Sequence, residues 1–275
     1  MATQLSPTRT RTRPSLASLR TQNAALSIAI LAGLIAITEI ATRLKWVSPL
    51  LLPPPTEVLR VTIEGFAQGI YWRHIASTMI ATFGGFGIAL VIAFVLAALF
   101  VSFPRVEAVM YPFVVALQTL PKIALAPLLV IWLGFGLEAK LILVAIVALF
   151  PMLVNTLQGL RIRDRNLSEL MLATGASKWQ VFRFIRFPGS MPYVFAGINV
   201  SIIFALLGTI VAEFVGSADG LGVLMLQQRA SFNVAGVFSI LLVLMIIGLT
   251  LFAITRLLET KLIFWAKEET DVFTP

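Results

Sequence analysis

The sequence has no cysteine and a single histidine, His74. Disulfides and thiolate metal sites are therefore excluded, and one imidazole cannot build a histidine metal centre. Charge is scarce as well. Asp, Glu, Lys and Arg make up 12% of 275 residues, against 59% hydrophobic residues, and the mean hydropathy is +0.95. No soluble core of this size needs that balance, so the chain reads as an integral membrane protein in contact with lipid. A net charge of +8 would point to nucleic acid in a soluble chain. In a membrane chain, excess Lys and Arg mark cytoplasmic loops, and no nucleic-acid partner is expected.

What is present in abundance is long apolar runs. A helix needs about 20 mainly apolar residues to cross the hydrocarbon, and six segments qualify: Ala24 to Thr42, Thr78 to Val101, Met110 to Phe135, Leu141 to Leu160, Tyr193 to Ala212 and Val234 to Thr255. Four carry no charged residue; the exceptions are Glu39 in the first and Lys122 in the third. With the N-terminus inside, the inner segments hold 14 Lys and Arg and the outer segments six. That asymmetry puts both termini in the cytoplasm. The N-terminal tail, with its arginines, serines and threonines, also resembles a signal peptide. Its apolar run is long and no small-residue cleavage site is clear, so an uncleaved first span is expected.

Two local patterns stand out. Ala81, Gly85, Ala89, Ala93 and Ala97 place a small residue at every fourth position of the second span. This gives a flat face that another helix can approach closely, and packing within one subunit is expected rather than a dimer seam. Between spans one and two, LLPPPTEVL turns on Pro53 to Pro55. There Thr56 is expected to cap a short helix on the outer surface.

The stretch NLSELMLATGASKWQVFRFIRFPGSMP, from Asn166 to Pro192, is different. It is basic and water-facing, yet it carries Leu167, Leu170, Met171, Trp179 and Phe182. Asn166 and Glu169 form a pattern close to a capping box, which predicts a helix over Leu167 to Ala173. Gly175 ends it in a left-handed conformation. Ser177 and Gln180 repeat the cap for a second helix to about Phe187, and Pro188 and Pro192 punctuate the entry to span five. The residues alone leave open an amphipathic loop along the membrane surface or a docking site for a cytoplasmic partner. A DNA-binding helix-turn-helix is nearly excluded, because spans hold both of its ends.

Glu169, Gly175, Ile185 and Pro188 reproduce the spacing Glu-Ala-Ala-x3-Gly-x9-Ile-x-Leu-Pro. In this the segment resembles the EAA loop of bacterial ABC importer permeases. It departs from that pattern at Leu170 and Met171, which replace the alanines, and at Phe187, which replaces the leucine. LLPPPTEVL, LPKIALAPLLVIWLGFG, FPMLVNTLQGLR, TGASKWQVF and VAEFVGSADGLG are similar to the sulfonate, taurine, nitrate and bicarbonate branch. The resemblance implies an all-α type I importer permease fold of six transmembrane helices, in a bacterial inner membrane. It divides the chain into a basic tail (1–22), a permease domain (23–260) with a coupling loop (161–190), and a C-terminal tail (261–275). It also implies two ATPase subunits at that loop, a second permease copy forming a homodimer, and an extracytoplasmic solute-binding protein. ATP and Mg would belong to the ATPase, with no cofactor on this chain. One independent feature agrees: no Gly-x4-Gly-Lys-Ser/Thr run exists, so the chain has no Walker A phosphate cradle.

Candidate solute-path residues follow from polarity at membrane depth. Lys122 lies between Pro121 and Pro127 within span three, where a buried charge costs at least about 2.5 kcal/mol unless it faces a cavity or a partner. Proline there opens the helix, and a cation at the break suits an anion, with Gln118 one turn away. Pairing of Lys122 with Glu213 or nearby carbonyls is the alternative. Asn155, Asn199 and Thr209 could line the same path or hydrogen-bond between helices. Glu213 precedes the Gly216, Gly220, Gly222 segment, read either as an outer gate or as an interfacial turn. A secondary transporter or channel without ATP is the competing function. Against it stand the apolar loop and the lack of paired carboxylates that would carry protons.

Overall fold

A computed structural model describes residues 16–161 and 165–266. Every regular element among them is helical. In chain order these are α1 (Leu16–Arg43), α2 (Pro55–Ala67), α3 (Ile70–Ser102), α4 (Pro104–Thr119), α5 (Ala126–Leu133), α6 (Leu137–Arg161), α7 (Arg165–Ala173), α8 (Lys178–Val181), α9 (Phe187–Gly216), α10 (Leu221–Ala230) and α11 (Val234–Leu262). Five stretches are long and apolar enough to cross a membrane: Ala25–Arg43, Ile70–Ser102, Leu137–Arg161, Lys178–Gly216 and Val234–Leu262. The sixth is the pair Pro104–Thr119 and Lys122–Leu133, bent by 82°.

That bend corrects the expectation of one helix from Met110 to Phe135. Leu120 is extended, at φ −63° and ψ 138°, because a residue before proline is pushed out of the helical region. Pro121 has no N–H to continue the ladder. The chain resumes as a 3₁₀ turn, Lys122–Leu125, that leads into α5.

The core is the α3, α6 and α9 trio. Ala89, Ala93 and Ala97 are fully buried. A side chain at Gly85 would meet Val144 and the Leu141 carbonyl on α6, so the small-residue face is used inside the chain. One turn beyond Gly85, Ala89 packs with Val144, Ala148 and Ala205. Further along α3, Ala93, Ala97 and Phe100 pack with Met152, Leu153, Leu157 and Val194. Large apolar side chains such as Ile80, Val91, Val95, Leu207 and Leu249 stay exposed around the trio, as surfaces facing lipid or a neighbouring subunit do.

One capping expectation is corrected. Thr56 does not cap α2; Pro54 stands at that position without a side-chain bond. Glu39 of α1 reaches across instead. Its carboxylate accepts the Thr56 N–H at 3.1 Å and the Thr56 hydroxyl at 2.7 Å, and it pairs with Arg43 at 2.6 Å. A carboxylate at a helix start satisfies free donors and complements the dipole. On the exposed face of α2, a hydrogen bond from the Arg60 guanidinium holds the Glu57 carboxyl below the usual carboxylate range.

Pro188 and Pro192, in turn, do not break the chain before span five. Helical structure runs without interruption from Lys178 to Gly216. Phe182–Arg186 form a π turn in which the Phe187 N–H donates to the Phe182 carbonyl. Pro188 has no N–H to offer the carbonyl four residues before it, and the wider turn accommodates its ring. The reciprocal cap expected at Asn166 falls on a side chain outside the described residues, as do most of the tails at 1–22 and 261–275.

Candidate functional site

The helix-turn-helix of α7 and α8 is built from local rules. α7 ends in a Schellman motif at Gly175, whose φ is +92°. The Gly175 N–H donates to the Leu172 carbonyl at 3.1 Å, and the Ala176 N–H to the Met171 carbonyl at 3.0 Å. α8 then starts with a full capping box. The Gln180 N–H donates to Ser177 Oγ at 3.2 Å, and the Ser177 N–H donates to Gln180 Oε1 at 2.7 Å. The helix-turn-helix holds an apolar surface open. Leu170 is 61% exposed and Trp179 64%, Leu167 and Leu172 are exposed beside them, and the Trp179 ring stacks on Phe182 at 5.6 Å. Glu169 is also exposed, whereas Met171, Ile185 and Pro188 are half-buried and form the inner side of the segment.

A second candidate lies at the break between α4 and α5. A cavity of about 280 Å³ is lined by Leu120, Pro121, Lys122, Ile123, Val147, Phe204, Leu207, Gly208 and Val211. Lys122 is half-buried there, with its Nζ 4.4 Å from the centre of the Phe150 ring. This is the distance at which an ammonium is attracted by the ring face. Among the described residues it has no carboxylate partner. Gln118 does not join it: the helix ends at Thr119, so the same-face argument fails across the bend, and Gln118 is exposed elsewhere.

The remaining polar candidates are held in packing contacts. Asn155 Nδ2 donates to the Pro151 carbonyl at 2.8 Å, and its Cβ faces Gly197. Asn199 Nδ2 donates to Glu259 Oε2 on α11 at 3.0 Å. The hydroxyls of Thr209 and Thr82 lie 2.9 Å apart between α9 and α3.

Glu213 is 1% exposed. Its carboxylate accepts the Thr78 hydroxyl at 2.8 Å and the Gly222 N–H at 2.7 Å, while Thr78 Oγ1 accepts the Leu221 N–H at 3.0 Å. The loop it grips is held from outside too. The Asp219 carbonyl accepts Ser77 Oγ at 3.1 Å, Ser217 Oγ at 2.6 Å and Lys140 Nζ at 3.1 Å, and the Asp219 carboxylate pairs with Arg73 at 2.8 Å. Gly220, at φ +141°, lies against the Glu213 carboxyl, where no side chain fits. Glu213 thus seats the 217–222 loop and stands apart from the Lys122 cavity.

Sequence reasoning passed over Lys140, Thr78, Asp219 and Phe150. Lys140, which falls among the six Lys and Arg of the outer segments, is 7% exposed; its place just before a charge-free apolar run is the available signal. No group of three or more His, Asp or Glu side chains gathers into a metal site among the described residues.

The chain is similar in sequence and fold to known transport proteins. Residues 85–264 match the family model for the binding-protein-dependent transport system inner membrane component. The formylaminopyrimidine transport permease of Halalkalibacterium halodurans is 32% identical, with 86% of this chain and 94% of that protein covered. The riboflavin transport system permease of Chloroflexus aurantiacus is 33% identical over 93% and 96%. The taurine transport system permease of Escherichia coli is 30% identical over 84% and 87%. A solved inward-facing structure of the MetNI methionine ABC transporter shares the fold, with a TM-score of 0.57, 20% identity, and 69% of this chain and 93% of that chain covered. The chain therefore belongs to the binding-protein-dependent transport system inner membrane components, the non-enzymatic permease subunits of ABC importers.

Proposed function

We propose that this permease forms the translocation path for a small organic anion, with Lys122 as the charge that meets it. The observation that carries the reading is a half-buried ammonium over Phe150, without a carboxylate partner among the described residues, at the wall of a cavity. The rest of that wall is apolar: Leu120, Ile123, Val147, Phe204, Leu207 and Val211. An inorganic anion such as nitrate or bicarbonate needs several donors to replace its hydration, and one ammonium beside a proline does not supply them. A sulfonate or carboxylate with an apolar body gives the ammonium one head group and covers the remaining wall. A planar heterocycle is a second reading, supported by the names of the formylaminopyrimidine and riboflavin relatives and by the Phe150 and Phe204 rings.

In this reading ATPase subunits, which carry ATP and Mg, dock on the apolar surface of α7 and α8 around Leu167, Glu169, Leu170 and Gly175. Their closure moves α6 and α9, and the path switches sides. A second copy of the chain completes the pore, and an extracytoplasmic binding protein delivers solute to the face opposite the coupling segment. Both termini lie in the cytoplasm.

Uptake into proteoliposomes holding the complete importer tests the role of Lys122. Lys122→Met is expected to abolish uptake of the anion while ATPase subunits still co-purify, and Lys122→Arg to keep part of it. Wild-type uptake by Lys122→Met would overturn the assignment.

A further inference from the structure

Pro192 lacks an N–H, so the Pro188 carbonyl, four residues earlier, loses the donor that a regular α-helix would give it. That carbonyl does have a partner. Trp265, in the 3₁₀ turn after α11, donates its indole Nε1–H to it at 3.2 Å. Ile263, between α11 and Trp265, is buried, which seats the turn. A second polar bond joins the same two helices further along: Asn199 Nδ2 to Glu259 Oε2 at 3.0 Å. The end of the last span is thus fastened to the first turns of α9, directly behind the π turn and the coupling segment.

We infer that Trp265 is a positioning residue for coupling: its indole clips α11 to the Pro188 carbonyl, so that a push on α8 moves α9 and α11 together. This rests on the reading of α7 and α8 as the ATPase docking surface. The two prolines serve it jointly. Pro188 opens the π turn, which gives the elbow a wider, more compliant turn, and Pro192 frees the carbonyl that receives the indole. A carbonyl left without a partner in a helix wall would otherwise have to be satisfied by water or another donor.

The test uses the complete importer in proteoliposomes, with solute uptake and ATP hydrolysis measured together. Trp265→Phe keeps the ring and removes the donor. Pro192→Ala restores an N–H that competes with the indole for the Pro188 carbonyl within α9 and weakens its hold. Each is expected to lower solute transported per ATP hydrolysed by roughly fivefold, the scale of one neutral hydrogen bond between helices, with ATPase subunits still co-purifying. The double variant separates the two possible roles. If Trp265 only satisfied an orphan carbonyl, Pro192→Ala would rescue Trp265→Phe. If it couples helices, the ratio stays low in all three variants. Unchanged uptake per ATP in both single variants, or rescue in the double, overturns the inference. Failure of any ATPase to co-purify with wild type would instead overturn the docking reading beneath it, and the inference with it.

Discussion

Gly220→Ala tests how the outer loop is held. Gly220 sits at φ +141° and ψ 163°, a region open essentially to glycine alone, where another residue costs roughly 1 to 3 kcal/mol. A Cβ there would also run into the Glu213 carboxyl, and moving that buried group strains its bonds from Thr78 and Gly222. Losing one hydrogen bond to a charged group adds about 1.5 to 3 kcal/mol. The combined loss, roughly 2.5 to 6 kcal/mol, corresponds to on the order of 10 °C in melting temperature for a chain of this size. Gly69→Ala is the control. Gly69 is also left-handed, at φ +77°, but nothing lies within 4 Å of the added carbon, so only the backbone term of about 1 kcal/mol applies, which is roughly 2 to 4 °C. Intrinsic tryptophan fluorescence of the detergent-solubilised protein is the assay, since a thiol-reactive dye has no cysteine to report on. The penalty of Gly220→Ala should also shrink in a Glu213→Ala background, because the two positions share one contact. Equal shifts for Gly220→Ala and Gly69→Ala, or full additivity with Glu213→Ala, would refute this account of the loop.

Three further outcomes follow from named contacts. Phe232 occupies the left-handed position of a Schellman motif, at φ +55° with its side chain 80% exposed; Phe232→Gly should raise stability by about 1 kcal/mol, read as a higher melting temperature. Gly85→Ala should lower stability by about 1 to 3 kcal/mol through overpacking against Val144 and the Leu141 carbonyl, and the same melt would register it. Glu57 has a depressed carboxyl paired with Arg60; its stabilising effect is present above the unfolded carboxylate range and is lost as pH falls through the folded value. Glu57→Gln should therefore lower the neutral plateau of a stability-against-pH curve slightly, leave its strongly acid end unchanged, and so flatten the acid side.

The parts of the fold legible in the sequence were those set by short-range rules. Apolar length gave the spans, the four-residue spacing of Ala89, Ala93 and Ala97 gave a packing face, and Gly175 with Ser177 and Gln180 gave the turn between α7 and α8. What stayed hidden depends on partners distant in the chain. Glu39 caps a helix 17 residues away, Asn199 meets Glu259 across 60 residues, and Trp265 finds Pro188 across 77. No periodicity encodes such meetings. The 82° bend was half legible: Pro121 announced a weakened helix, but hydropathy is blind to direction, so the apolar run read straight through Leu120. For the candidate path the sequence pointed to Lys122 and passed over Phe150, because an aromatic residue in an apolar span carries no local sign that a cation rests on it.

The central claim is that the apolar surface of α7 and α8 is where an ATPase docks. Affinity purification of the tagged permease from mild detergent, comparing wild type with Leu170→Asp and Gly175→Pro, tests it most directly. Leu170→Asp places a charge on the exposed apolar surface, and Gly175→Pro removes both the positive φ and the donor that end α7. An ATPase subunit recovered with wild type and lost with both variants is the predicted result. If no ATPase accompanies the wild type, or if both variants retain it at wild-type level, the docking surface is wrongly placed and the coupling mechanism built on it fails.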